Sequence, residues 1–160
     1  MTTPEPPAIA LERAELTSDA SVALILALNA ELDALYPEAG ANHFRLDPDE
    51  VAPGRGAFLL VRHAGAPVGC GAVRRLDAGT AELKRMYVVP ELRGKGLGRR
   101  LVDALEAEAR ALGLRHLVLE TGTRQLAAMA LYRALGFRPI PLYGEYLASP
   151  DTSVCLGREL

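Results

Sequence analysis

Residues 93–100 read RGKGLGRR, and this short stretch decides how the rest of the sequence is interpreted. Before it, residues 80–89 have the composition of a strand. After it, Leu97, Leu101 and Leu105 recur at helical spacing until Gly113 interrupts the pattern. The stretch is therefore a glycine-rich connection between a strand and a helix that runs to about Leu112.

The charges around this connection are unusual for the start of a helix. Free N–H groups there carry partial positive charge, so acids rather than bases normally occupy the first turn. Here the sequence places Arg93, Lys95, Arg99 and Arg100. A bound polyanion would turn this repulsion into attraction, and glycines let the main chain approach an oxyanion closely. The pattern predicts a site for a pyrophosphate-containing cofactor, the simpler alternative being a flexible connection with solvated arginines.

Known phosphate loops do not match the stretch. It lacks the Gly-Lys-Ser/Thr end of a Walker A loop. It also lacks the dinucleotide spacing, and it follows an antiparallel series of strands rather than the first strand of a doubly wound sheet. The residues alone therefore leave the identity of the phosphate cofactor open.

The elements around the connection predict a mixed sheet. Residues 57–63, 67–76 and 80–89 alternate as three antiparallel strands joined by short glycine turns. The strand at 116–120 lies beyond the helix, so it is expected to pair in parallel with 80–89. The fold class is α/β, with a mixed sheet and helices on both faces. The other predicted elements are strands at 9–15, 137–142 and 153–159, helices at 18–36 and 125–135, and a short helix from about Asp47.

Composition predicts one domain. The chain has 160 residues, and we assign 1–7 to a flexible N-terminus and 8–160 to a single domain. A net charge of −2 gives no global attraction to nucleic acid or to a membrane surface, and no apolar run reaches membrane-spanning length. We expect a cytoplasmic location, since residues 1–7 lack the features of a signal peptide. The two cysteines and three histidines show no metal-ligand spacing, so we expect no metal.

Two separated motifs resemble those of the GNAT superfamily of acyl-CoA N-acyltransferases. The first is Arg93, Gly96 and Gly98 at the family's spacing, preceded at 82–92 by what looks like the family's cofactor strand. The second comprises Ala128, Leu131, Tyr132, Gly136 and Phe137. The resemblance covers residues 57–140 closely. It implies a central, mostly antiparallel sheet with one splayed parallel strand pair.

The resemblance implies that acetyl-CoA is the cosubstrate. Its pantetheine arm would lie along Met86, Tyr87 and Val88. Gln125 stands where many family members have a cofactor-binding Asn, so that contact is a point of departure from the family. The pyrophosphate would sit on the main chain of Arg93, Gly94, Lys95, Gly96, Leu97, Gly98 and Arg99.

The resemblance also suggests two catalytic residues. Glu82 lies where several family members place a general base, and Tyr132 where the family often places the acid that protonates the departing thiolate. Glu82 has alternatives: a water relay, a solvated position, or a structural pair with Arg74, Lys84 or Arg85. Tyr132 has a structural alternative as a tyrosine that covers a helix. Less specific candidates around the acceptor are Glu31, Tyr36, His43, Arg45, Tyr143, Glu145 and Tyr146. Glu120, Thr121 and Arg124 at the end of the parallel strand could face the acceptor or the cofactor.

The predicted function is transfer of an acetyl group from acetyl-CoA to a primary amine of a small molecule, amino acid or peptide, by direct attack in a ternary complex. A non-catalytic acetyl-CoA-binding sensor and an enzyme using another phosphate cofactor are the alternatives. A homodimer is a possible assembly at the level of the family.

Overall fold

The computed structural model describes Thr3, residues 8–38 and residues 44–160. Its helices are α1 (Asp19–Leu35), α2 (Leu97–Ala111) and α3 (Leu126–Ala134), with short 3-10 turns at Pro48–Val51, Pro90–Leu92 and Gly144–Ala148. Its strands are β1 (Ile9–Arg13), β2 (Gly56–His63), β3 (Ala66–Arg75), β4 (Thr80–Val88), β5 (His116–Gly122), β6 (Arg138–Ile140) and β7 (Ser153–Glu159).

The strands form one mixed sheet in the order β1-β2-β3-β4-β5-β7-β6. Every neighbouring pair is antiparallel except β4 and β5, which are parallel. The predicted α/β fold class and the parallel pair are therefore confirmed. The sequence did not predict that β7 lies between β5 and β6.

The parallel pair separates halfway along its length. β4 and β5 are in register only from Thr80 opposite His116 to Leu83 opposite Leu119, although β4 continues to Val88 and β5 to Gly122. A bulge lies just beyond this point, because the register with β3 shifts between Cys70 and Ala72. Bulges bend a strand, so β4 turns where it leaves β5. The predicted splayed pair is confirmed.

The helices cover both faces of the sheet. On one face, Leu101, Leu105 and Ala109 of α2 are fully buried against apolar residues of β2 to β5. On the other face, Leu24 and Leu28 of α1 pack on side chains of β2, β3 and β4. Burying each leucine contributes about 1.5–3 kcal/mol, so these stripes fix both helices to the sheet.

Several element bounds differ from the sequence prediction. The helix predicted from Asp47 is a single 3-10 turn, and β6 is only three residues long. β5 runs two residues beyond the predicted end at Glu120, because its antiparallel pairing with β7 continues to Gly122. The predicted flexible segment 1–7 lies outside the described residues except for Thr3. The assignment of 8–160 to one domain stays a prediction. None of the helices in the described ranges is long and apolar enough to cross a membrane.

Candidate active site

The gap between the separated strands contains a cavity of about 110 Å³. Three residues predicted as catalytic or cofactor-binding line it, namely Met86, Gln125 and Tyr132, whereas Glu82, Tyr87 and Val88 do not. α1, α3 and the segments around Phe44 and Tyr146 form its walls. The polar residues that line it are Tyr36, Lys84, Arg85, Glu120, Thr121, Gln125, Tyr132, Tyr146 and Thr152.

The glycine-rich connection exposes main-chain donors. Gly94 and Gly96 are both left-handed, with φ of +77° and +84°, and a Cβ added to either would meet nothing within 4 Å. Among the described residues, no hydrogen bond uses the N–H groups of residues 94–99. Leu97 is buried, while Lys95 and Arg99 are exposed. This arrangement of free N–H groups at the start of α2 suits a phosphate ligand.

Close packing fixes this connection beside α3. A Cβ on Gly98 would lie 3.0 Å from a methyl carbon of Leu131, so the first turn of α2 passes close to α3. The start of α2 therefore lies next to the helix that carries Tyr132. The predicted pyrophosphate site at residues 93–99, called the phosphate loop below, and the cavity thus both border α3.

Arg93 is engaged within the protein rather than left free. Its Nε donates to the Val88 carbonyl at 2.8 Å, and its Nη2 pairs with Glu31 at 2.6 Å. Its guanidinium lies over the Tyr87 ring, 5.5 Å from the centroid, and its own N–H donates to Pro90. Arg93 therefore ties the phosphate loop to the end of β4 and to α1.

Tyr132 and Gln125 contribute from α3 and its start. Tyr132 is buried, its ring makes an edge contact with Phe137 at 5.7 Å, and burial raises the pKa of its phenol above the ordinary value. The phenol therefore keeps its proton and can act only as a donor of it. The Gln125 side-chain oxygen accepts from the Gly122 N–H at 2.8 Å, which leaves its amide nitrogen as a donor beside the cavity.

Glu82 is fully buried and fully bonded. One carboxylate oxygen accepts from Arg74 at 2.8 Å, and the other accepts from the hydroxyls of Tyr143 at 2.5 Å and Tyr146 at 2.9 Å. Arg74 also pairs with Glu50 at 2.6 Å. The structural pair with Arg74 is thus present. The role of Glu82 as base stays a prediction.

Glu120 is the one carboxyl group among the described residues that line the cavity. Its pKa is raised to about 8, chiefly because burial disfavours the charged form. The carboxylates of Glu82 and Glu145 raise it further, whereas a hydrogen bond from Ser153 at 3.4 Å and the charge of Lys84 lower it. Its position at the carboxyl end of a parallel strand was a sequence signal for a ligand contact. The raised pKa of Glu120 could not be predicted from the sequence, because it depends on burial of the carboxyl between the separated strands β4 and β5.

Two cations of β4 lie on the cavity wall. Lys84 is buried, and its ammonium group donates to the Arg45 carbonyl and to Glu145 at 3.2 Å. Arg85 donates to the Phe44 carbonyl at 2.5 Å and has a positive φ of 57°. Both side chains therefore hold the segment after residue 43 against the cavity.

The remaining candidates are scattered over the same region. Arg45 is exposed and pairs with Asp47 at 3.5 Å, and Arg124 pairs with Glu38 and donates its N–H to the Tyr36 hydroxyl at 2.8 Å. His43 lies outside the described residues. The Thr121 hydroxyl is buried without a partner in the described part of the chain.

The two cysteines fit a structural role. Cys70 and Cys155 are buried free thiols, and burial raises their pKa values to about 12 and about 11. Within the described ranges, no group of three or more His, Cys, Asp or Glu side chains is arranged to hold a metal ion.

A parallel strand pair that opens over a cavity, beside a helix start with free N–H groups, defines the class of acyl-CoA N-acyltransferases. Residues 23–137 match the model of the acetyltransferase (GNAT) family, so the chain belongs to that family. This confirms the predicted enzyme class, an acetyl-CoA-dependent N-acetyltransferase, and with it acetyl-CoA as the cosubstrate.

Individual relatives cover most of the chain. It is 43% identical over 145 residues to the IAA acetyltransferase of Azospirillum brasilense, covering 90% of this chain and 94% of that protein. It is 34% identical over 128 residues to the mycothiol acetyltransferase of Beutenbergia cavernae, covering 76% and 42% respectively. A solved structure from Klebsiella pneumoniae, assigned to the acyl-CoA N-acyltransferases, superimposes with a TM-score of 0.80 and 34% identity, covering 95% of this chain and 97% of that one.

Proposed function

We propose that the protein transfers the acetyl group of acetyl-CoA to an amine of a small molecule, an amino acid or a peptide. The observation that carries the proposal is the gap between β4 and β5, where Glu120 and Tyr132 line one cavity. The phosphate loop opens beside the same gap with unused N–H groups. Two relatives bear the names IAA acetyltransferase and mycothiol acetyltransferase, and these names suggest compounds for testing.

The proposed position of acetyl-CoA follows from main-chain and side-chain donors that have no hydrogen-bond partner among the described residues. The N–H groups of residues 94–99 would hold the pyrophosphate, with Lys95 and Arg99 beside it. The edge of β4 from Met86 to Val88 has no partner in β5, so it offers main-chain groups to the pantetheine arm. Gln125 would donate from its amide nitrogen. For Arg93 we propose a positioning role instead of direct contact, because its Nε and Nη2 already bind the Val88 carbonyl and Glu31 and so orient the guanidinium towards β4 and α1.

Acetyl transfer by direct attack needs a proton acceptor and a proton donor in the cavity. The amine nitrogen forms a bond to the acetyl carbon, the carbon–sulfur bond breaks, the amine loses one proton, and the thiolate gains one. Holding both reactants in one cavity supplies much of the rate. Glu120 is the carboxylate that the geometry favours as the acceptor, because it lines the cavity and titrates near neutral pH.

The two other catalytic assignments have different support. We propose Tyr132 as the donor of the proton to the thiolate, and the support is that its phenol stays protonated and lines the cavity. Glu82 is supported by its position on the cofactor strand. It would act only through Tyr143, Tyr146 or water, because its two oxygens already accept three hydrogen bonds.

The test is release of free thiol from acetyl-CoA in the presence of an acceptor panel. The panel includes amino acids, polyamines, short peptides and IAA, and each hit is confirmed by mass spectrometry of the acetylated product. We compare wild type with Glu120→Gln, Glu82→Gln and Tyr132→Phe. Arg62→Gln serves as the control, because Arg62 pairs with Glu12 on the far edge of the sheet.

Three outcomes are informative. Turnover that Glu120→Gln abolishes and Arg62→Gln preserves supports the proposal with Glu120 as base. Turnover lost in Glu82→Gln and kept in Glu120→Gln would assign the base to Glu82, provided that circular dichroism shows Glu82→Gln to be folded under the assay conditions. Tight acetyl-CoA binding without thiol release from any acceptor would reject the proposed transfer and support a sensor module. The cytoplasmic location and the homodimer stay predictions.

A further inference from the structure

We infer that Arg85 binds a carboxylate of the acceptor, so that the acceptor belongs to the amines that carry a carboxylate, such as amino acids. The inference rests on the proposed function, because it names the acceptor class of the same cavity. It comes from the ion pairs of β4 and its neighbours, from the backbone at Arg85, and from the place of Glu120 in the cavity.

Of the two cations that line the cavity, Lys84 and Arg85, only Lys84 has an acidic partner among the described residues. Arg74 pairs with both Glu50 and Glu82, and Lys84 pairs with Glu145. In the part of the chain that the structure describes, no carboxylate pairs with Arg85, whose guanidinium contacts only the Phe44 carbonyl.

Such a guanidinium is suited to a carboxylate. Arg85 is half-buried and lines the cavity, so water competes with a ligand there less than it would at the surface. A guanidinium has five donors in a planar fork that matches the two oxygens of a carboxylate. A lysine cannot supply this two-point geometry.

The backbone indicates that the side chain matters at this position. Arg85 occupies the bulge of β4 with a φ of +57°, a left-handed conformation that glycine adopts without strain and other residues adopt at a cost. Residues kept in such conformations cluster at functional sites. The backbone at this position favours glycine, yet the residue is an arginine. We take this to indicate that the guanidinium has a function there.

The cavity thus contains complementary groups for an amino acid. Glu120 lines it as the carboxyl that would take the amine proton, and Arg85 lines it as a cation that has no carboxylate partner in the described ranges. Lys84 is already committed to Glu145 and to the Arg45 carbonyl. An acceptor with an amine at one end and a carboxylate at the other would satisfy both Glu120 and Arg85.

The experiment compares acceptors that differ only in the carboxylate. The first pairs are each amino acid with its primary amide, compared at equal concentration of neutral amine because the amide is the weaker base. The second pair is 4-aminobutyrate with butylamine, whose amines have similar basicity. kcat/KM is measured for wild type, Arg85→Gln and Arg85→Gly. Glycine suits the left-handed backbone, so R85G removes the guanidinium while relieving the strain. Arg62→Gln is the matched control.

We expect wild type to prefer at least one carboxylate acceptor over its neutral partner by about 10- to 100-fold, the range for hydrogen bonds to a charged group. R85Q and R85G should lose that preference, and R62Q should keep it. Equal rates for both members of every pair in wild type, or a preference that persists in R85G, would overturn the inference.

A binding measurement separates this inference from the proposed function. Calorimetric titration of the CoA-saturated protein with the same pairs should show heat for the carboxylate member that disappears in R85G. If no amine is acetylated, the proposed function fails, and the calorimetric comparison still decides the inference: no difference between the members of any pair rejects it.

Discussion

Replacement of Glu120 by glutamine should make the protein more stable at alkaline pH. The folded protein raises the pKa of this carboxyl from 4.5 to about 8, mainly through burial. A folded-state pKa above the unfolded value means that the native state holds the proton more tightly. The contribution of Glu120 to stability is therefore fully present below about pH 4.5 and is lost as the pH rises through about 8.

The size of the effect follows from the shift. At about 1.4 kcal/mol per pKa unit, a shift of this size corresponds to roughly 4 kcal/mol of stability lost between pH 4.5 and pH 9. Glutamine is neutral throughout and avoids that loss. Glu120→Gln should match wild type near pH 5 and exceed its free energy of unfolding by roughly 2–4 kcal/mol at pH 9.

Urea unfolding at closely spaced pH values between 5 and 9 measures this difference. Glu12→Gln is the control, because Glu12 is an exposed carboxylate on β1, and its profile should follow wild type. The same pKa governs the rate: kcat/KM of wild type should rise with pH towards a plateau above about 8, and E120Q should be about 10²- to 10⁴-fold slower. Parallel stability profiles for wild type and E120Q would refute the assignment of a raised pKa to Glu120.

Three further predictions concern other parts of the site. Glu82→Gln should lower the free energy of unfolding by about 3–5 kcal/mol in urea at pH 7, because Arg74 loses a buried partner; a change no larger than that of Glu12→Gln would contradict this. Tyr132→Phe should lower kcat with little change in the KM for acetyl-CoA, as measured by initial rates, whereas an unchanged kcat would exclude the acid role. Gly96→Ala should lower the free energy of unfolding by about 1–2 kcal/mol, because residue 96 has a left-handed backbone, and it should also weaken CoA binding in calorimetry. The control is Gly79→Ala, where an added Cβ would meet open space. Equal CoA affinity in both variants would contradict the phosphate site.

The parts of the fold that follow from local pattern were predictable from the sequence. Helical spacing of leucines after Leu97, and the glycines before it, placed α2 and its connection within a few residues. The hairpins of β2 to β4 depend on short turns, which also have local signals. Met86, Gln125 and Tyr132, on β4 and α3, were predicted from the resemblance of two short motifs to the GNAT family, and all three line the cavity.

The acceptor side depends on contacts that no local pattern records. Glu82 is bonded by Tyr143 and Tyr146, which are 61 and 64 residues away in sequence. The raised pKa of Glu120 arises from burial between separated strands, and the left-handed backbone of Arg85 arises from a register shift. The sequence predicted Glu82 as a base and Glu120, Tyr143 and Tyr146 as polar candidates, and it named Arg85 only as a possible partner of Glu82. The contacts that distinguish these residues appear only in the folded protein.

The position of β7 has a consequence for synthesis on the ribosome. β5 and β6 emerge earlier, yet each of them pairs with β7 and not with the other. Until β7 has been synthesised, β5 and β6 each have an unpaired edge, and unpaired strand edges can aggregate with those of other nascent chains. Substitutions in residues 153–159 should therefore increase chaperone dependence and lower the yield of folded protein, even though this strand is not part of the phosphate loop.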